Sequence, residues 1–251
     1  MNRIKRNKLI GNGVIFGTVV ALGGIIAIGK KIRNNKIQKL LESEKYCTGE
    51  IRKFGTLYLD NEKQKKPVDF LGFEDIPSYL GQKIQIRDTD KNDENKLSWV
   101  EINDNDKKLL ICDRNILKEV SWNELNDQNL IFGKVVILEE KKYILRLLTG
   151  YNVDNGYISN EWDKYIVNID KILDLPISTD YDKDNSLKED DEENNSLWNW
   201  HNFSSLTHNE HLKDQKFCII RGFYSTKYSN QSNKSLKYET VGYRPVLELI
   251  K

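Results

Sequence analysis

The 251-residue sequence lacks most of the features that would assign a protein to a functional class. Three cysteines, Cys47, Cys112 and Cys218, are too few for a disulfide framework and form no C-x-x-C pair for a metal. Lys and Arg number 39 against 38 Asp and Glu, so the excess of positive charge typical of nucleic-acid binding is missing. No glycine-rich phosphate loop, Gly-x-Ser-x-Gly motif or internal repeat is present. The sequence therefore predicts a protein that is not an enzyme and does not bind nucleic acid.

One long apolar run stands out in this polar chain. Residues 9–29 (LIGNGVIFGTVVALGGIIAIG) contain no charged side chain. A helix of this length spans about 30 Å, the thickness of the hydrocarbon core of a bilayer. The run is longer than the apolar region of a cleavable signal peptide, and it is apolar on every face, unlike most core helices. We therefore expect a single transmembrane helix, a single-pass membrane protein and contact with a lipid bilayer.

The same run carries small residues on one side of the expected helix, at Gly13, Gly17 and Ala21. This spacing permits two helices to approach closely, so the sequence is compatible with a homo-oligomer, although small residues are also common in membrane helices. Basic residues flank the run on both sides, so the positive-inside rule favours neither orientation in the membrane. The short basic N-terminus favours a C-terminal domain outside the cytoplasm.

The remainder of the chain alternates between short apolar segments and charged turns. The pattern predicts strands at several places, a β-hairpin with a charged tip at residues 139–141, and a short helix that begins with the capping box Ser121-x-x-Glu124. Strands with a few helices indicate the α+β fold class. We divide the chain into four parts. Residues 1–30 form an N-terminal basic segment with the apolar helix, residues 31–46 a stalk helix, and residues 47–108 a strand-rich subdomain. Residues 109–251 form a C-terminal domain that contains an acidic loop at 179–195.

Two segments have the residue types of a metal site. Three histidines and a carboxylate fall within eleven residues and could bind zinc: His201, His208, His211 and Glu210. Their spacing is not His-Glu-x-x-His, and a solvated loop is the alternative. Three aspartates begin like a calcium loop, but the expected glycine and glutamate of that loop are replaced: Asp180, Asp182 and Asp184, followed by Asn185 and Asp191. An acidic loop without calcium is the alternative there.

The C-terminal half contains a series of short motifs in a fixed order. They are SWNEL at 121–125, YILRLLTG at 143–150, NEWD at 160–163, WNW at 198–200, an Arg-Gly pair at 221–222 and GYRPVL at 242–247. Over residues 109–250 this series resembles a group of bacterial and prophage-encoded proteins whose ending is similar to formylglycine-generating-enzyme-like and other C-type-lectin-fold domains. The resemblance implies a C-type-lectin-like domain. The catalytic cysteines of the sulfatase-modifying enzymes and the Glu-Pro-Asn sugar triplet of calcium-dependent lectins have no counterpart, so neither activity is carried over.

Domains of that fold often present ligand-binding loops, and residues 225–238 (STKYSNQSNKSLKY) are similar to such a loop. Tyrosine supplies rigid contact area, and serine and asparagine supply adaptable hydrogen bonds. The paired tryptophans of the WNW motif could add an aromatic platform, although a place in the core is the alternative for them. An ordinary polar hairpin is the alternative for the loop. The candidate contact residues are Trp198, Trp200, Tyr224, Tyr228 and Tyr238.

Three functions follow as hypotheses. The first is a membrane-anchored binding or display module that recognises a protein or a glycan. The second is a structural or assembly component of a phage or secretion apparatus, which oligomerises through its N-terminal apolar helix. The third is a metal-dependent enzyme that uses the histidine cluster.

Overall fold

The computed structural model describes residues 46–68, 73–105, 107–151, 160–168, 172–173 and 189–251. The chain divides into two compact units, Met1–Lys45 and Tyr46–Lys251, and every described residue belongs to the second. Several predictions fall outside the described residues. They are the apolar helix at 9–29 with its packing residues Gly13, Gly17 and Ala21, the stalk helix at 31–46 except for its last residue, and Asp180, Asp182 and Asp184 of the candidate calcium loop.

Most of the regular structure consists of strands: β1 (Tyr46–Leu59), β2 (Glu62–Lys63), β3 (Ile84–Arg87), β4 (Lys96–Asp104), β5 (Lys107–Cys112), β6 (Leu117–Lys118), β7 (Lys134–Leu138), β8 (Lys141–Arg146), β9 (Ile172–Leu173), β10 (Ser204–Glu210), β11 (Phe217–Gly222), β12 (Ser229–Asn233), β13 (Val241–Tyr243) and β14 (Val246–Leu249). The helices are short: a 3-10 turn (Asp93–Asn95), α1 (Trp122–Asp127), a π-helical turn (Asp163–Val167) and α2 (Glu189–Trp198).

These elements contradict the predicted α+β, C-type-lectin-like fold with a transmembrane helix. The described chain is mostly β-sheet, because segments expected to be polar loops add strands such as β12 and the helices remain short. None of the helices in the described ranges is long and apolar enough to cross a membrane. The described residues therefore do not support the predicted location as a single-pass membrane protein with an extracytoplasmic domain.

The larger sheet has nine strands and curls into a half-barrel. Its main path runs β2-β1-β4-β5-β14-β8-β7, and β3 and β9 both pair with β1. Side chains, and not a strand ladder, link β3 to the region of β7. The Gln128 side chain accepts a hydrogen bond from the Ile84 N–H at 2.8 Å, and Asp88 accepts one from the Glu139 N–H at 2.7 Å. The half-barrel is thus held at both ends of its open seam.

The smaller sheet has five strands in the order β12-β11-β10-β13-β6. One hydrophobic cluster contains side chains of both sheets, including Trp99 and Leu247 from the larger and Leu206 and Ile220 from the smaller. A second cluster contains other residues of the larger sheet together with four aromatic side chains: Trp162, Tyr165, Trp198 and Trp200. Because strand side chains alternate between faces, the larger sheet is covered on both sides over part of its width.

The strand β14 joins the two halves of the larger sheet. It pairs antiparallel with β5 on one side and with β8 on the other, so Val246 lies opposite both Ile111 and Arg146. The sheet therefore continues across the predicted boundary between residues 108 and 109. The end of the predicted acidic loop 179–195 lies in α2.

Several local predictions are confirmed. The Ser121 hydroxyl accepts a hydrogen bond from the Glu124 N–H at 3.2 Å, and the Glu124 carboxylate accepts one from the Ser121 N–H at 2.9 Å, which completes the capping box of α1. The hairpin forms between β7 and β8. Apart from these predictions, Cys112 and Cys218 are buried free thiols, and burial raises the pKa of each to about 12.

Candidate ligand-binding groove

The two tryptophans predicted to contact a ligand lie in the interior. Trp198 and Trp200 are each 0% exposed and belong to the cluster against the larger sheet. The Trp200 indole N–H donates to the Asn194 side chain at 2.8 Å. Their role is in packing, which was the alternative left open by the sequence.

The three predicted tyrosines are on or near the surface, but they are not all in one place. Tyr224 is 67% exposed, and its ring meets that of Tyr228 edge-on at a centroid distance of 5.0 Å. Both precede β12 in the chain. Tyr238 is 39% exposed and follows β12, beyond the opposite end of that strand. Only Tyr224 and Tyr228 therefore form a common surface.

The predicted metal ligands do not form a metal site in the part of the chain that the structure describes, where no group of three or more His, Cys, Asp or Glu could hold an ion. His208 packs edge-on against Phe132 at 4.8 Å, and burial lowers its pKa. The Glu210 carboxylate forms an ion pair with Lys234 at 3.2 Å. His201 and Phe223 form an isolated backbone bridge. The remaining histidine, His211, lines a groove on the smaller sheet.

This groove has a volume of about 340 Å³ and lies beside the hairpin of β11 and β12. From the hairpin come Ile219 and Gln231, which are paired across the two strands, together with Ser229 and Asn230. Ile219, Ser229 and Gln231 share one face of the sheet, because paired residues and alternate residues of a strand point to the same side, and all three are uncharged.

Two other segments complete the lining. The turn after β10 contributes His211, Leu212 and Lys213, and the chain after β8 contributes Tyr151. Leu212 and Tyr151 are both exposed, at 56% and 43%. The groove thus combines exposed apolar area with amide and hydroxyl groups, the composition that favours small-molecule recognition.

A buried arginine holds these segments together. Arg221 donates from Nη1 to the carbonyl oxygen of Gly150 at 2.7 Å and from Nε to that of Tyr228 at 3.2 Å. It also forms an ion pair with Asp163. Because Gly150 precedes Tyr151, one guanidinium fixes both the loop that carries Tyr228 and the segment that carries the Tyr151 ring.

The Asn209 side chain also holds the segment that carries Tyr151. Its Oδ1 accepts hydrogen bonds from the N–H groups of Gly150 and Tyr151, at 2.7 and 3.2 Å. Since Asn209 precedes the turn that carries His211, this contact couples two lining segments. The groove is therefore supported by polar contacts that are independent of any ligand.

The loop with Tyr224 begins at a strained residue. Phe223 has a φ of 90°, in a region that bulky residues rarely adopt. The conformation is held by two backbone hydrogen bonds of 2.9 Å, from the Phe223 N–H to Trp200 and from the Asn202 N–H to Phe223. Strain of this kind concentrates at functional sites, which supports a functional role for the loop.

Asn230 shapes the outer edge of the groove. Its Oδ1 accepts a hydrogen bond from the Gln231 N–H at 2.8 Å, and its Nδ2 donates to the Tyr228 hydroxyl at 2.9 Å. The strand β12 is at the edge of the smaller sheet, and the bonded pairs with β11 direct the Gln231 backbone towards that open edge. The Asn230 side chain therefore occupies a position that an added strand would need.

Sequence reasoning identified the tyrosines before β12 but not most of the groove. The richness of residues 225–238 in Tyr, Ser and Asn is the signal that points to the hairpin. No pattern in the sequence places Tyr151 or Ile219 beside it. Comparisons with models of known protein families, with curated proteins and with solved structures gave no match, so the resemblance noted for residues 109–250 stays a prediction.

Proposed function

We propose that this protein is a binding module that holds an oligosaccharide in the groove beside β11 and β12. The observation that carries the proposal is the combination of the exposed Tyr151 ring with neutral amide and hydroxyl groups around one groove. Sugars present apolar ring faces and many hydroxyl groups. Tyrosine offers an apolar face with a polar edge, and serine, asparagine and glutamine offer both donors and acceptors.

The size and support of the groove agree with this function. A volume of about 340 Å³ lies within the range of about 300–1,000 Å³ that is usual for small-molecule sites. The contacts of Arg221 and Asn209 fix the lining segments in place, which reduces the entropy lost when a ligand binds.

A peptide that binds by strand addition fits the groove less well. Such a peptide needs free backbone groups on an edge strand. The Gln231 N–H already bonds to the Asn230 side chain, which is itself tied to Tyr228. Recognition through side chains, as in glycan binding, needs no such backbone groups.

The other two functions predicted from the sequence have no specific observation in their favour among the described residues. A metal-dependent enzyme would need the histidine cluster to assemble, and His208, Glu210 and His211 make the separate contacts described above. An assembly role would depend on residues 9–29, which lie outside the described ranges.

The proposal is tested by titrating the full-length protein with defined saccharides, monitored by calorimetry and by NMR. The probes are chitotetraose, cellotetraose, maltotetraose, galactotriose and 3′-sialyllactose. We expect saturable binding of at least one probe, and about tenfold weaker binding by Tyr151→Ala, since a well-placed aromatic contact is worth more than about 1 kcal/mol. Tyr238→Ala, at the other end of β12, is the matched control and should bind as the wild type does.

The proposal fails if folded protein, with a native near-ultraviolet circular dichroism spectrum, binds none of the probes at millimolar concentration. It fails equally if Tyr151→Ala binds as tightly as the wild type. Stronger weakening by Tyr238→Ala than by Tyr151→Ala would move the site away from this groove.

A further inference from the structure

Near the groove, the acidic side chains of one turn are bonded to other residues, whereas a basic side chain of the same turn lines the groove. The sequence near the turn after β10 alternates acidic and basic residues, with Glu210, Lys213, Asp214 and Lys216 in close succession. In the structure the two acids are engaged elsewhere. Glu210 pairs with Lys234 at 3.2 Å, and the Asp214 carboxylate accepts the Lys216 N–H at 3.0 Å. Neither lines the groove.

Lys213 is the charged side chain that this turn contributes to the lining. It is exposed, and no carboxylate of the described residues forms an ion pair with it. Among the lining residues that the structure describes, none is an aspartate or a glutamate. The described lining therefore presents an ammonium group beside hydrogen-bonding amide and hydroxyl groups and no carboxylate.

A second exposed lysine, Lys227, lies in the loop before β12. It is not among the lining residues that the structure describes, so the positive charge at the groove comes from Lys213. This charge is local, because the whole protein has a formal charge of only +1.

We propose that the oligosaccharide of this groove is acidic, with a sugar carboxylate bound by Lys213. The inference rests on the proposed function and adds the chemical class of the ligand. A carboxylate gains charge-assisted hydrogen bonds from the ammonium group while its sugar ring contacts the neutral residues. Uronic acids and sialic acids both supply this chemistry, and the experiment separates them.

The experiment compares matched acidic and neutral probes on the full-length protein by calorimetry. 3′-Sialyllactose is compared with lactose, and trigalacturonic acid with galactotriose. We expect at least one acidic probe to bind about fivefold more tightly than its neutral partner, the upper end of what a solvent-exposed ion pair contributes. This preference should diminish at 0.5 M NaCl, where exposed charges are screened over a few ångströms. Which acidic probe binds identifies the source of the carboxylate.

Lys213→Gln provides the residue-specific test. It should remove the preference, so that the acidic probe binds no more tightly to the variant than its neutral partner does. Lys216→Gln is the matched control, because it removes the same charge three residues away without altering the lining, and it should keep the preference.

Equal affinity for acidic and neutral probes, or a preference that survives in Lys213→Gln, overturns the inference while the proposed oligosaccharide site stands. Absence of binding to all four probes and to the neutral tetrasaccharides, by a protein that is folded by circular dichroism, overturns both. The two failures are therefore distinguishable in one set of titrations.

Discussion

A single buried arginine, Arg244, connects three separate segments of the chain beside the last two strands. Arg244 is 1% exposed, and its guanidinium donates to the carbonyl oxygens of Asp113 at 2.9 Å and Asn199 at 3.1 Å, and to the Ser205 hydroxyl at 3.0 Å. Burial lowers its pKa to about 10, so the side chain stays charged at neutral pH. The arginine of the GYRPVL motif thus binds carbonyl groups of two other segments. The motif joins β13 of the smaller sheet to β14 of the larger one.

Replacement of this arginine by lysine should be costly despite the conserved charge. In Arg244→Lys a single ammonium cannot reach all three oxygens, so buried acceptors lose their donors, at about 1–3 kcal/mol for each. We expect the free energy of unfolding, measured by urea denaturation, to fall by about 2–4 kcal/mol. Arg52→Lys is the control: Arg52 is about one-third exposed, forms an ion pair with Glu101 and lies over the Phe54 ring, contacts that lysine can also make, so its replacement should cost less than about 1 kcal/mol. Equal effects of the two substitutions would contradict this account.

At the scale of elements, the parts that the sequence predicted are those specified by local chemistry. The hairpin of β7 and β8 alternates in the sequence, and its two turn residues, Glu139 and Glu140, have φ values of 47° and 66°. Two consecutive positive φ values indicate the tight turn whose twist matches that of the strands. Glutamate is a poor residue for this conformation, so the hairpin tip is not optimised for stability.

Glu140→Gly should therefore stabilise the protein. Glycine adopts positive φ without strain, and the exposed Glu140 side chain makes no hydrogen bond in the described structure, whereas Glu139 contacts Thr89. We expect the free energy of unfolding to rise by about 0.5–1 kcal/mol. The control is Lys141→Gly, in which the glycine lies in the strand β8 and should lower the free energy of unfolding by a similar amount. A loss of stability in Glu140→Gly, measured by thermal unfolding, would show that its side chain contributes more than the strain costs.

The elements that the sequence did not predict depend on distant contacts. The strand β12 has the sequence SNQSN, which contains no apolar residue, and only Ser232 of the strand is buried. Its sequence therefore lacks the alternation of apolar and polar residues by which a strand is predicted. Helix α2 was predicted as part of an acidic loop. It is fixed through its C-terminal asparagines: Asn194 donates to the Ile166 carbonyl at 2.7 Å, and Asn195 accepts the Trp200 N–H at 2.8 Å. Neither hydrophobic periodicity nor propensity reports such contacts, so the groove that β12 helps to form was only partly predictable.

At the scale of the whole molecule, one ion-pair network connects the neighbouring strands β8 and β14 of the larger sheet with the segment before the π-helical turn. Arg146 on β8 binds Glu161 through both terminal nitrogens, at 2.7 and 2.6 Å, and Glu248 on β14 at 2.8 Å. Burial alone would raise the pKa of Glu161, but the hydrogen bonds and the charge of Arg146 outweigh it and hold the pKa below its ordinary value. Burial and the charge of Arg146 also lower the pKa of His208.

Both shifts make stability depend on pH in the same direction. A group whose folded-state pKa is depressed stabilises the fold above its unfolded pKa, and this contribution is lost as the pH falls through the folded value. With ordinary values of about 6.5 for histidine and about 4.3 for glutamate, the free energy of unfolding should begin to decline below about pH 6.5 and decline further below about pH 4.3. Urea denaturation between pH 7.5 and pH 3 measures both steps.

Glu161→Gln tests which carboxylate is responsible for the acid step. It leaves Arg146 with Glu248 as its remaining carboxylate, so we expect a loss of about 2–3 kcal/mol at pH 7, somewhat less than when a buried charge loses every partner. The substitution should also flatten the pH dependence below about pH 4.3, because the variant has no group at this position to protonate. Glu140→Gln, on the exposed hairpin tip, should leave the curve unchanged. A Glu161→Gln curve parallel to that of the wild type would assign the acid step to other carboxylates, and the network would then contribute to packing alone.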